Sequence, residues 1–159
     1  MKKKIRKRFV YEGLGFPIIL KNISIIKKHG EIVPDIDFNR LQKIVLLNLC
    51  HKNEPLTGNE IKFIRKFLEM TLTEFGKKFG CSHAAVMKWE KYGNRFAKIE
   101  PTTDVYIRLF VFSHLNRKNN AFKELYENLD IMQLMKFRNQ IAHGIILVID
   151  VKEKLKMVS

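Results

Sequence analysis

The sequence predicts a mainly α-helical fold: a helix-turn-helix bundle that follows a β-hairpin and one helix and precedes a short strand and tail. The pattern T-x-x-E occurs at residues 57–60 and 71–74, where it predicts capping boxes that begin two helices. Apolar residues then recur three and four positions apart in both segments. Between residues 13 and 34, glycines and prolines interrupt short apolar runs, which favours the hairpin in that part of the chain.

The composition indicates a polyanionic partner. Thirty Lys and Arg residues against sixteen Asp and Glu residues give a net charge of +14 and a pI near 9.9, and nucleic acid is the first partner that this charge suggests. The longest apolar runs, 44–50 and 145–149, are too short to span a bilayer. No apolar signal segment follows the basic start. We therefore expect a cytoplasmic protein without a membrane partner.

The sequence predicts neither a cofactor nor a metal site. Cys50 and Cys81 belong to no CxxC pair, which favours two reduced thiols. The five histidines lack the spacing of metal ligands, and the glycines form no phosphate-cradling loop.

Residues 1–10 are predicted to form a basic arm. Six positive charges fall within the first eight residues, and no acidic residue precedes Glu12. Two interpretations stay open: an arm that follows phosphates or enters a minor groove, or a solvated terminus that aids solubility.

Residues 11–53 are predicted to form a hairpin-helix unit. Strands are expected near 16–26 and 31–36, with a turn at 27–30. Asp37 is expected to cap a helix over 38–50. The polar residues 51–54 and the proline after them indicate a linker, and the boundary between the units is placed there.

Residues 54–118 are predicted to form the helix-turn-helix domain, in which a scaffold helix follows Thr57 and a second helix begins at Leu72. Gly80 ends the second helix because glycine readily adopts the left-handed conformation, and Ser82 caps the next helix. That helix, 83–90, is expected to bury Val86 and Trp89 and to expose His83, Ala84, Met87, Lys88 and Lys91. Such a helix is suited to a DNA major groove.

The remainder of the chain is predicted to be mostly helical. A helix over 105–115 is apolar on nearly all sides, so it needs cover from a second copy of the chain or from the hairpin unit. Residues 119–159 are expected to form a helical extension and tail. Helices are predicted at 119–128 and 131–141, and a strand is predicted at 145–149.

Residues 70–90 resemble the XRE, or lambda-repressor-like, helix-turn-helix family, whose pattern LT-x-x-x-LA-x-x-LG-x-S is followed by a glutamate. The chain supplies Met70-Thr71, Phe75-Gly76, Phe79-Gly80, Ser82 and Glu90. Glycine replaces the usual alanine at 76 and is expected to cost a little helix stability.

The resemblance implies a homodimeric transcriptional repressor that binds an operator. It implies DNA contacts from Thr71, Leu72, Ser82, His83, Ala84, Met87, Lys88, Lys91, Arg95 and Lys98. The backbone amide of Leu72 would approach a phosphate, and Lys88 and His83 are the best groups for base edges. Lys91 and the basic residues after it would hold phosphates, so most of the affinity is expected from charge.

Residues 11–115 resemble bacterial antitoxins of the MqsA and HigA kind. Their resemblance implies a type II toxin-antitoxin system in which the chain represses its own operon and the unit at 11–53 binds a protein toxin. The four zinc-binding cysteines of MqsA are absent, so hydrophobic packing would have to replace the metal.

An alternative function comes from residues 138–143, which resemble the R-N-x-x-x-H motif of HEPN-type ribonucleases. The resemblance implies that His143 acts on the 2′-hydroxyl proton of RNA and that Arg138 stabilises the developing phosphate charge. The stretch after the motif, IILVID, favours a strand rather than another helix of such a bundle. We therefore expect a DNA-binding protein and not an enzyme.

Overall fold

The computed structural model describes residues 3–115, 119–129, 131–137 and 143–152. Its elements, in chain order, are β1 (Lys4–Tyr11), β2 (Ile18–Lys28), β3 (Glu31–Pro34), α1 (Phe38–His51), α2 (Gly58–Phe67), α3 (Leu72–Lys78), α4 (His83–Glu90), α5 (Pro101–His114), α6 (Asn119–Asn128), α7 (Ile131–Met135) and β4 (Leu147–Asp150).

The described residues form two compact units. The sheet unit comprises the residues up to Asn48 and those from Ile146 onward, and the helical unit comprises residues 49–145. Helix α1 begins in the first unit and ends in the second. The sheet unit thus combines an early and a late part of the chain, which were predicted to be separate segments.

The predicted fold class is wrong, because the structure is α/β and not a mainly α helix-turn-helix bundle. Four strands form one mixed sheet around β2. β1 pairs with β2 antiparallel along residues 18–25. β3 is antiparallel to residues 25–28 and β4 is parallel to residues 18–21, so β3 and β4 share the edge of β2 that faces away from β1.

Residues 4–10, predicted to be part of a basic arm, lie in strand β1. Residues 4–8 are all exposed, so the segment has no alternation of buried and exposed side chains that a sequence pattern could reveal. The strand forms because its backbone groups pair with β2. Pairing of this kind joins backbone groups, so it does not require a hydrophobic face on β1.

The predicted hairpin and the strand near the end of the chain are confirmed. His29 and Gly30 form the turn between β2 and β3 with left-handed φ values of 48° and 88°. Asp37 caps α1, since its Oδ1 accepts a hydrogen bond of 2.9 Å from the backbone N–H of Arg40. In the sheet unit the fully buried side chains are apolar and lie on β2, α1 and β4; they include Ile18, Leu20, Leu41, Ile44 and Ile149.

A buried ion pair organises the start of the helical unit. Arg108 and Asp104 on α5 are each 1% exposed, and Arg108 Nε donates to Asp104 Oδ1 over 2.5 Å. The guanidinium also donates to the backbone carbonyls of Lys52 and Glu54, and Asp104 Oδ2 accepts from the N–H of Leu56 over 2.9 Å. The segment predicted to be a linker is therefore held on α5 by charge-assisted hydrogen bonds.

Helix α5 differs from its prediction in two respects. It begins at Pro101 rather than at residue 105, and Glu100 precedes it without a side-chain capping bond. Helices α6 and α7 pack against α5 and supply part of the cover that its apolar surface needs. No helix in the described ranges is long and apolar enough to cross a membrane.

Candidate nucleic-acid interface

The capping box that begins α3 has the predicted geometry. Thr71 Oγ1 accepts a hydrogen bond of 3.2 Å from the N–H of Glu74, and Glu74 Oε2 accepts one of 2.7 Å from the N–H of Thr71. The backbone N–H and then the hydroxyl of Thr71 favour the ionised carboxylate, so they lower the pKa of Glu74. These bonds fix the position at which α3 starts.

The turn between α3 and α4 also follows the prediction. Gly80 has a left-handed φ of 71°, which glycine adopts without a steric penalty. Ser82 Oγ accepts a hydrogen bond of 3.2 Å from the N–H of Ala85 and so caps α4. Val86 is fully buried and Trp89 is half-buried. The opposite side of α4 therefore faces outward.

Gly76 permits the close approach of α3 to the turn. A Cβ atom at this position would lie 2.6 Å from the backbone oxygen of Cys81, and the N–H of Cys81 donates to the oxygen of Gly76 over 2.9 Å. Alanine would require a shift of the backbone. The expectation that glycine merely weakens this helix therefore misses its packing role.

An ion pair joins α2 to the end of α4. Arg65 donates from Nε to Glu90 Oε1 over 2.6 Å and from Nη2 to Glu90 Oε2 over 3.1 Å. Its Nη1 donates to the carbonyl of Met70 over 2.9 Å. A bidentate arginine with a third fixed acceptor holds α4 and the α2–α3 turn in one orientation. Sequence reasoning used Glu90 only as a pattern match and missed Arg65.

The beginning of α2 holds the basic loop that follows α4. Gly58 lies so close to α4 that a Cβ atom would be 2.5 Å from the carbonyl oxygen of Trp89. The backbone of Gly58 donates to the carbonyl of Arg95, and that of Asn59 donates to the carbonyl of Gly93 over 2.8 Å. The loop after α4 is thus fixed by backbone hydrogen bonds, although it contains neither a helix nor a long strand.

Aromatic contacts connect the pair of helices to α5. The ring of Phe79 lies 4.7 Å from that of Phe75 and 5.2 Å from that of Tyr106 on α5. Phe75 is fully buried and Phe79 is 7% exposed. Because edge-to-face rings stabilise a core beyond their buried area, α3 has a rigid support beneath the exposed face of α4.

Nine of the ten residues predicted to contact DNA are exposed, and Leu72 is half-buried. The outward face of α4 presents His83, Ala84, Met87 and Lys88, and Met87 is 42% exposed. This face holds the amino group of Lys88 and the imidazole of His83, which can donate hydrogen bonds to base edges. Thr71 and Ser82, whose hydroxyls already accept capping bonds, lie at the starts of α3 and α4.

Two of the three side chains predicted to hold phosphates, Lys91 and Arg95, lie close together beside Lys88, and the third, Lys98, does not. Lys88, Lys91 and Arg95 line one open hollow with Tyr92. The guanidinium of Arg95 lies over the Tyr92 ring, 5.5 Å from its centroid, and its Nε donates to the Tyr92 carbonyl over 3.3 Å. Sequence reasoning missed Tyr92, which orients Arg95. Lys98 lines a different small crevice.

This hollow suits an anionic oxygen group. Three cationic side chains converge on a surface that is open to solvent, which is the chemistry that backbone phosphates of nucleic acid require. Among the described residues, no cluster of three or more His, Cys, Asp and Glu side chains could hold a metal ion.

The residues of the ribonuclease alternative are only partly described. Arg138 lies outside the described residues. His143 is exposed and its backbone forms an isolated antiparallel bridge with Arg95. The bridge places His143 beside the basic loop, but a catalytic arrangement with Arg138 stays a prediction.

The two cysteines have pKa values that disfavour the thiolate. Burial raises the pKa of Cys50 to about 12 despite the nearby Arg108, and Cys50 Sγ donates to the carbonyl of Arg108 over 3.4 Å. Burial also raises the pKa of Cys81, in the turn before α4. Neither thiol has the lowered pKa of a nucleophile.

No family model matches this chain, and no curated protein or solved structure matches it either.

Proposed function

We propose that this protein is a sequence-specific DNA-binding repressor that places α4 in a major groove. The observation that carries the proposal is the geometry of α4: Val86 is fully buried beneath it, Glu90 is fixed by Arg65, and Lys88 is exposed on the opposite face. A helix that is rigidly held and exposes small, polar and basic residues is suited to base edges.

Charge would supply most of the affinity. On α4, only Lys88 and His83 would donate hydrogen bonds to base edges, whereas Lys91 and Arg95 line a hollow that suits phosphates. Phosphate contacts set register and salt dependence but carry no sequence information. Specificity would then depend on a few base contacts and on the spacing of two half-sites, for which we propose a cytoplasmic homodimer.

The biological role that we propose is autoregulation by an antitoxin. Support comes from the resemblance of residues 11–115 to antitoxins that carry a toxin-binding unit before their DNA-binding unit. If the adjacent gene encodes a toxin, co-expression of this chain should relieve the growth arrest that the toxin causes.

The DNA-binding proposal is tested with duplexes selected by the pure protein from a random-sequence pool. We expect Lys88→Ala to weaken binding to the selected sequence by about 1–3 kcal/mol and to relax the preference at one base pair. Lys91→Ala should weaken all duplexes similarly and reduce the salt slope by about 1. Mobility shifts at several salt concentrations measure both effects.

The matched control is Lys62→Ala, which removes the same charge from an exposed position on α2. It should leave sequence preference unchanged. An equal loss for all three variants would mean that net charge, and not α4, accounts for binding, and the proposal would fail.

A further inference from the structure

Within the described part of the chain, strand β1 is an exposed edge of the sheet. One edge of β1 pairs with β2, and no other described strand pairs with β1. Residues 4–8 are exposed on both faces, and two apolar side chains, Ile5 and Val10, are 66% and 53% exposed. The N–H and C=O groups along such an edge are a template on which another strand can form.

The two longest strands of this sheet are strongly basic. β1 carries four Lys and Arg residues and β2 carries three, and neither strand contains Asp or Glu. The register places Arg8 directly opposite Lys21, and Lys21 directly opposite Asp150 on β4. Like charges in opposed positions destabilise a sheet. Arg8, Lys21 and Asp150 are thus cross-strand neighbours on three strands. A carboxylate from an added strand, placed opposite Arg8 on the unpaired edge of β1, would give Arg8 a neighbour of opposite charge.

A second copy of the chain is a poor occupant of this edge. Four of the five residues from 4 to 8 are cations, so two β1 strands paired along this segment would place like charges opposite each other in any register. Cross-strand repulsion therefore disfavours self-association at this edge.

We infer that the open edge of β1 binds an extended acidic segment of another protein as an added strand. Lys4, Arg6 and Arg8 alternate along β1 and therefore share one face, so the segment should carry carboxylates at every second position. On the other face, Ile5 favours an apolar residue opposite it. This inference does not depend on the contact of α4 with DNA.

A fluorescent peptide of seven residues, with glutamate at each odd position and valine between, is the probe. We expect fluorescence anisotropy to show that the full chain binds it. A peptide of the same sequence with an N-methyl group on every backbone amide keeps the charge but has no N–H donors on either edge for a strand ladder, and it should bind roughly tenfold more weakly or not at all.

The test variant is Arg6→Glu/Arg8→Glu. Glutamate at position 8 faces Lys21, so the sheet should keep its stability, which thermal unfolding checks. Affinity for the glutamate peptide should fall by roughly tenfold or more because like charges then oppose each other. The control Lys27→Glu/Lys43→Glu makes the same charge change at exposed positions on β2 and α1 and should have a much smaller effect.

Three results would overturn the inference. The first is equal binding of the N-methylated peptide, which would mean attraction by charge alone. The second is an equal loss of affinity for the glutamate peptide in the test variant and in its control. The third is failure of the full chain to bind the glutamate peptide; if Arg6→Glu/Arg8→Glu then also loses duplex DNA binding, the strand belongs to a nucleic-acid surface instead.

Discussion

The two capping boxes of the helical unit have the same sequence pattern and nearly the same hydrogen bonds, but their surroundings differ. The side-chain oxygen of each threonine accepts from the glutamate N–H, over 3.3 Å at Thr57 and 3.2 Å at Thr71. Glu74 is exposed and caps only its own helix. Glu60 is 3% exposed, and its Oε2 also accepts a hydrogen bond of 2.7 Å from Nζ of Lys52.

This difference shows that a local pattern predicts geometry but not energy. The pattern T-x-x-E is sufficient to start a helix at either place. Whether its glutamate is also half of a buried ion pair depends on Lys52, which reaches it from the segment before α2. Loss of one partner from a buried pair costs far more than loss of an exposed cap.

The largest expected difference between the two boxes comes from replacing the glutamate of each by glutamine. Glu60→Gln should lower the free energy of unfolding by about 3–5 kcal/mol because it leaves the buried ammonium of Lys52 without its counter-charge. Glu74→Gln should change it little, since glutamine also serves in a capping box. Urea unfolding at neutral pH measures both. Equal losses would show that burial does not separate the two boxes.

The second largest effect on the free energy of unfolding is expected at the residue that follows the capping threonine. In the first box it is Gly58, where a Cβ atom would lie 2.5 Å from the carbonyl oxygen of Trp89; in the second it is Leu72, which has room for its side chain. Gly58→Ala should lower the free energy of unfolding by about 1–3 kcal/mol through overpacking. Lys62→Ala, on the surface of the same helix, is the control. An unchanged unfolding midpoint for Gly58→Ala would contradict the close approach of α2 and α4.

The smallest expected effect is a pH dependence of the exposed box. The pKa of Glu74 is lowered from its ordinary value of 4.5 in the folded state, so the unfolded chain binds the proton more tightly. The stabilisation by Glu74 is then complete above the unfolded pKa and is lost as the pH falls through the folded pKa.

Thermal unfolding of the wild type and Glu74→Gln between neutral and acidic pH measures this effect. The difference between the two proteins should diminish at acidic pH. A difference that stays constant across the titration would mean that the Thr71 bonds do not depend on ionisation.

Much of the candidate interface follows from local sequence. Thr71, Gly80 and Ser82 act through hydrogen bonds and backbone angles within a few residues, so their positions determine where α3 begins and ends and where α4 begins. Exposure of Lys88 follows from the period of a helix whose Val86 is buried. The hydrogen bonds that orient α4 do not follow from local sequence, since Arg65 reaches Glu90 from another helix.

The sequence by itself determined the β2–β3 hairpin, the two capping boxes, and the helices α3 and α4 with the turn between them, because each depends on residues that are close along the chain. Only the tertiary structure decided that the basic segment is β1, that β4 lies parallel to β2, and that the side chains of Lys52 and Arg108 are buried. The physical reason is that strand pairing and the pairing of buried charges join residues far apart in sequence. Their stabilisation is absent until the chain has folded, so no local pattern encodes it.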